Sequence, residues 1–265
     1  MMFLNAKPLS FRVSAVGCLG GLSLWLGLSW PSGAEVTLPG AIAAADDTLN
    51  QTLASRAYTP PPGSQSAGGP NTGGGVRGCG DQMVALAPQY SVVGQSFSTR
   101  PTFVWYVGNN AVETLEFALY QRDEAGTGTA QLVDIEQEIA YTPNGYVAYT
   151  LPSDGAALTV GETYTWVAAV YCDAARTQIG GLISADIEIV APPSVMPPEM
   201  DAVAAAETYG AEGFWYDALA AVYAGETAEA AALRQDLLLD LADLEENTGT
   251  VFGRVLSRQL RALTE

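Results

Sequence analysis

LTVGETYTWVAAVYCD, residues 158–173, carries the strongest strand signal in the chain. Read with a period of two, Tyr164, Trp166, Ala168, Val170 and Cys172 fall on one side of an extended strand. Thr165, Val167, Ala169 and Tyr171 fall on the other side. Just ahead stands Leu158-x-x-Gly161-x-x-Tyr164, the spacing of a tyrosine corner. There Gly161 permits a sharp turn, and the Tyr164 phenol bonds back to the backbone upstream. The pattern predicts a half-buried strand with Trp166 in the core and Tyr171 on the opposite face.

Outward from this strand the same alternation continues. Met83–Leu86, Tyr90–Phe97, Pro101–Val107, Leu115–Tyr120, Leu132–Ile139, Tyr146–Leu151, Thr163–Cys172 and Leu182–Val190 all read as strands. Turn residues separate them at Gly108-Asn109-Asn110, Asp123-Glu124-Ala125-Gly126, Pro143-Asn144-Gly145 and Pro152-Ser153-Asp154-Gly155. Eight short strands over roughly 110 residues predict an all-β, immunoglobulin-like sandwich over residues 81–190, with Trp105, Tyr164 and Trp166 in its core. A Pro-rich hinge, residues 191–198, follows. The period then turns helical, and residues 199–265 are expected to form a separate all-α unit. Its helices are Glu199–Tyr209, Phe214–Tyr223, Thr227–Leu244 and Thr250–Leu263, the third with a stripe of Leu233, Leu237, Leu241 and Leu244. Residues 35–80 hold a weak helical pattern and then a Pro-, Gly- and Ser-rich stretch, expected to be a flexible segment.

The first 34 residues read as a cleaved secretory signal: Lys7 and Arg12, an apolar run from Val13 to Trp30, and the small residues Ser32-Gly33-Ala34. A retained anchor is the alternative. The chain has 11 basic and 29 acidic residues, and cleavage removes two basic ones and no acidic one, giving a balance of −20. Such a surface repels phosphates, so nucleic-acid binding is not expected. There is no histidine, and the only lysine is Lys7. His-based triads, His metal sites and Schiff bases are thereby excluded from the mature protein, and no cofactor or metal is expected. Cys79 and Cys172, the two cysteines left after cleavage, are expected to pair in an oxidising compartment.

A set of motifs goes beyond this bare reading. Gly73-Gly74-Gly75-x-Arg77-Gly78-x-Gly80, Pro101-Thr102-Phe103-x-Trp105-Tyr106 and Gly161-x-x-Tyr164-x-Trp166 occur in that order. They are followed by Ala206-x-x-Tyr209-x-x-x-Gly213-x-Trp215-Tyr216-Asp217-Ala218-Leu219. Over about residues 70–245 the combination resembles domain of unknown function 928, a secreted family of cyanobacteria. The resemblance implies an envelope role and brings no catalytic residues. Ala228–Arg234 stands where the family carries an Arg-rich, Pro-containing stretch. Residues 205–219 also resemble one tetratricopeptide-like helical hairpin, in which Tyr209 and Trp215 fill the gap between paired helices.

Only carboxylate chemistry remains for catalysis. Glu113, Glu116, Asp134, Glu136 and Glu138 lie on or near strands, but the last three alternate strictly and share one face, which suits a solvated exterior better than a glycosidase pair. Acidic turns such as Asp123-Glu124 do not have the spacing of a helix–loop–helix calcium site. The expectation is a non-enzymatic, secreted or periplasmic protein that binds an envelope protein or a surface polymer, with no stable membrane span after cleavage. Tyr216 and Asp217 are the expected partner-binding pair, because Tyr216 points about 100° from Trp215 on a helix and would face outward. A carbohydrate-binding module remains the alternative if aromatics are exposed in a row, and a carboxylate hydrolase if two acids face each other across a cleft.

Overall fold

The computed structural model describes residues 56–64, 83–108, 114–122, 131–137, 139–193 and 200–265, with 131–137 as backbone only. The strands are β1 (Met83–Ala85), β2 (Gly94–Ser96), β3 (Thr102–Val107), β4 (Thr114–Gln121), β5 (Gln131–Gln137), β6 (Gly145–Thr150), β7 (Thr163–Tyr171) and β8 (Ile179–Ile189). The helices are α1 (Ala202–Ala211), α2 (Trp215–Ala224), α3 (Ala228–Glu246) and α4 (Val251–Ala262). Asp201, Thr227 and Thr250 cap α1, α3 and α4, each accepting from a backbone N–H three residues on.

The strands form two sheets, one ordered β1-β3-β6 and one ordered β2-β8-β7-β4-β5. The first is antiparallel throughout; in the second, β2 runs parallel to β8 and the remaining pairs are antiparallel. The register decides what each face does. Phe103 and Trp105 of β3 pair with Tyr149 and Val147 of β6, so these four share a face. That face meets the larger sheet, where Phe117 lies 4.9 Å from Phe103 and 4.6 Å from Tyr149 between ring centroids. Trp105 packs 6.0 Å from Trp166 in the same layer. The tyrosine corner forms as the spacing asks: the Tyr164 hydroxyl accepts from the Thr159 N–H at 3.0 Å, and Gly161 takes φ +91°.

The expected fold class does not hold. An immunoglobulin-like sandwich with a separate all-α unit is contradicted by the mixed second sheet and by the place of the helices. The buried apolar residues form one cluster that runs from Tyr58 through both sheets to Leu260, and it includes Trp215, Tyr216, Leu219, Leu237 and Leu241 from the helices. The physical reason lies in α2. Its indole and phenol reach into the sheets: Trp215 Nε1 donates to the Leu86 carbonyl at 2.9 Å, and the Tyr216 hydroxyl donates to the Asp186 carbonyl at 2.9 Å. The four helices are short, and their apolar faces are covered by the sheets as well as by each other.

The N-terminal segment also departs from expectation. Residues 56–64 lie against the helices, with Tyr58 only 2 % exposed and its ring 4.8 Å from Trp215. The Tyr58 N–H donates to Asp240 Oδ2 and the Thr59 N–H to the Gly210 carbonyl. Residues 35–55 and 65–80 lie outside the described residues, as does the greater part of the Pro-rich hinge, 194–198. Cys172 is not a free thiol; Cys79 lies outside the described residues, so the bridge between them stays an expectation.

Candidate functional site

Where the β2–β3 connection meets α1 and α2 there is an open cleft of about 270 Å³. Its polar wall is Ser98, Arg100, Thr102, Tyr209 and Asp217, and Pro101, Ala220 and Ala221 add apolar surface beside the Tyr216 ring. Each group is positioned by a local contact. Asp217 sits in the first turn of α2, where the helix dipole favours a negative charge. Its Oδ1 accepts from Ser96 Oγ at 3.1 Å and its Oδ2 from the Phe97 N–H at 3.0 Å. Burial nevertheless pushes its pKa up to about 6, against the lowering effect of those hydrogen bonds. Arg100 donates from Nη1 to the Pro152 carbonyl at 2.7 Å. Thr102 shares a hydrogen bond with Thr150 at 2.8 Å, and Tyr209 meets the Phe97 ring edge-on at 5.0 Å.

The expected site residues fall in different places. Trp105, Tyr164, Trp166 and Trp215 are buried, while Tyr209 is half-buried at the cleft. Tyr216 is 2 % exposed, so it does not face outward as expected. Its hydroxyl accepts from Trp166 Nε1 at 2.9 Å and donates to the Asp186 carbonyl, so both its apolar ring and its polar tip are used inside. Asp217 is half-buried, and both of its oxygens are engaged by the β2 end rather than held at a rim.

Among the strand carboxylates, Glu116 pairs with Arg176 and accepts from the Tyr171 hydroxyl at 3.4 Å. The side chains of Glu113, Asp134, Glu136 and Glu138, and the turn Asp123-Glu124, lie outside the described residues. Among the described residues no group of three or more His, Cys, Asp or Glu is placed to hold a metal. The tyrosines of the three-stranded sheet do not make a flat row. Tyr106 and Tyr146 meet edge-on at 5.5 Å, Tyr146 and Tyr223 edge-on at 5.7 Å, and the Arg234 guanidinium lies over the last two.

Two features went unread in the sequence. Glu245 in the last turn of α3 is fully buried and accepts from the Gln89, Tyr90 and Ser91 amides and from Ser91 Oγ. Burial raises its pKa, and the same donors pull it back. The second is the outer side of α4. Val251, Phe252 and Val255 are 64 %, 57 % and 37 % exposed, and among the described residues only Val160 and Ile179 are other large apolar side chains left so open. Phe252 stacks on Tyr90 at 5.8 Å. To one side of the two valines, away from Phe252, project Arg254 and Arg258, which bond to the backbone carbonyls of Gly249 and Arg254 and pair with no carboxylate among the described residues. Arg261 on the same helix is committed to Asp243 and Glu246.

The family model described as Domain of Unknown Function (DUF928) matches residues 72–248. The matched region holds the cleft's strand wall and α1–α3, whereas α4 follows it. No curated protein and no solved structure matches the chain. Among the described residues no helix is long and apolar enough to cross a membrane.

Proposed function

The chain belongs to the Domain of Unknown Function 928 family, and on that footing we propose that it is a non-catalytic, secreted or periplasmic binding protein that docks an envelope protein through the outer side of α4. The carrying observation is the coincidence on the exposed side of α4 of Val251, Phe252 and Val255 with Arg254 and Arg258, which pair with no carboxylate among the described residues. Exposed apolar side chains gathered in one place and rimmed by polar groups mark interaction sites. In a chain with 29 acidic and 11 basic residues, two neighbouring arginines that meet no carboxylate among the described residues ask for an acidic rim on the partner. The apolar run Val13–Trp30 followed by Ser32-Gly33-Ala34 supports export. The absence of histidine, with lysine confined to position 7, supports binding over catalysis.

The recognition element thus stays among the C-terminal helices but leaves Tyr216 and Asp217. The test is retention of partners from native envelope extract on the full chain, comparing wild type with Phe252→Ser and with Arg254→Glu/Arg258→Glu. A specific partner held by wild type should be lost with Phe252→Ser. It should weaken on the order of tenfold with the charge reversal, and more at low salt than at high. Thermal melts should stay within a few degrees, because these side chains are exposed. Equal retention by all three proteins, or a partner whose binding ignores salt, would overturn the proposal.

A further inference from the structure

The cleft beside α2 is distinct from the α4 surface, and its chemistry selects a different ligand. We infer that it holds one neutral pyranose unit of an envelope glycan, gripped between Asp217, Arg100 and Thr102. The charge balance comes first. Asp217 and Arg100 bring opposite charges to the same small space. The cleft therefore favours neither a cation nor an anion, and an ionised ligand would meet a like charge on one wall.

Spare hydrogen-bonding capacity comes second. A carboxylate offers about four acceptor positions. Ser96 Oγ and the Phe97 N–H take one on each oxygen of Asp217. The Arg100 guanidinium has five donors, and one is given to the Pro152 carbonyl. Ser98 Oγ accepts from the Arg100 N–H and keeps its own proton to donate, and the Tyr209 hydroxyl bonds to no described residue. Acceptors, donors and hydroxyls that can do either thus line one space. Adjacent hydroxyl groups on a ring, each both donor and acceptor, match that mixture better than an amide or an acid does.

Shape comes third. Pro101, Ala220 and Ala221 give an apolar wall beside the Tyr216 ring, suited to the C–H face of a sugar. A volume of about 270 Å³ lies just below the usual range of small-molecule sites, which limits the occupant to a single ring. The tight contact between α2 and β2 keeps this wall fixed. A Cβ at Gly94 would come within 2.8 Å of the Tyr216 ring, so the ring packs closely on the β2 backbone.

Ligand-observed saturation-transfer NMR on the full chain tests the inference, with methyl glucopyranoside and N-acetylglucosamine as neutral probes and glucuronate and glucosamine as charged ones. A neutral pyranose should bind with a Kd of order 1 mM, and both charged sugars should bind more weakly. Thr102→Val should weaken binding about fivefold, the value of one lost hydrogen bond. Ala220→Leu, which fills the cleft from the half-buried face of α2, should abolish binding while the melting curve stays close to wild type. Three results would overturn the inference: no transfer to either neutral sugar, stronger binding of a charged one, or binding indifferent to both substitutions.

Discussion

A carboxylate with no solvent contact persists at position 245 because the loop facing it donates three amides and a hydroxyl. Glu245→Ala would leave those donors stranded and should cost at least about 1–3 kcal/mol, while Glu245→Gln, whose amide oxygen still accepts, should cost less. Urea titrations should show the midpoint falling with the slope unchanged. Tyr216→Phe removes one oxygen, taking the acceptor from the buried Trp166 Nε1 and one donor from the Asp186 carbonyl. Its expected cost is also about 1–3 kcal/mol, and a loss below about 0.5 kcal/mol would show that water replaces the hydroxyl. Both residues show how far a sequence can be read at this scale. Leu233, Leu237 and Leu241 step four at a time, and the next step lands on Glu245, so a charge in a core stripe was a visible sign of a buried acceptor. Tyr216 carried no such sign. Helical geometry fixes its angle to Trp215 but not whether a second surface waits on that side, and here Gly94 and Trp166 do.

Elements were the most legible level, and their assembly the least. Period-two alternation puts strands at 163–172 and 182–190 in the sequence, and β7 and β8 span Thr163–Tyr171 and Ile179–Ile189. The same alternation is silent on direction, so nothing in Gly94–Ser96 revealed that β2 runs parallel to β8. Nor does it show that α2 packs its aromatic side chains into the sheets. The join between α1 and α2 depends on Gly213, which takes φ +88° and lies so close to Pro61 that a Cβ would collide with the proline ring. Gly213→Ala combines backbone strain with that collision and should cost about 1–3 kcal/mol. It should also free residues 56–64, seen as faster hydrogen exchange at the Tyr58 and Thr59 amides. Unchanged exchange there would mean that the segment is held without the glycine. At the end of β7, Cys172 should pair with Cys79, and thiol labelling of unfolded, unreduced mature protein should find no free thiol. A loop of that length is worth roughly 4–5 kcal/mol at most, and two reactive thiols would remove the bridge.

For the whole molecule, one continuous core means that removing the helices would take Tyr216 from Trp166 and Phe103 and Tyr223 from Tyr146, so sheets and helices stand or fall together. That core was assembled in a chain whose formal charge is −18, and the two facts set its response to pH. Burial raises the pKa of Asp217 to about 6 and lifts those of Glu245 and Asp240. A group whose folded pKa lies above its unfolded value near 4 contributes its full stability below that value and loses it as pH climbs through the folded pKa. For Asp217 the window is therefore about pH 4 to 6. Asp173, lowered by its hydrogen bonds from Thr177, works in the other direction. Self-repulsion among ionised acids adds to the first trend, since it grows with pH over the same range. The melting temperature should accordingly be higher at pH 5 than at pH 8. Asp217→Asn should flatten part of that slope, because an amide cannot titrate. Sodium chloride separates the two causes: screening weakens long-range repulsion but leaves the cost of burying a charge in place. At pH 8 added salt should recover part of the stability lost since pH 5, and the remainder should vanish only with the substitution. A melting temperature that rises with pH would mean that ionised carboxylates are net partners in this fold.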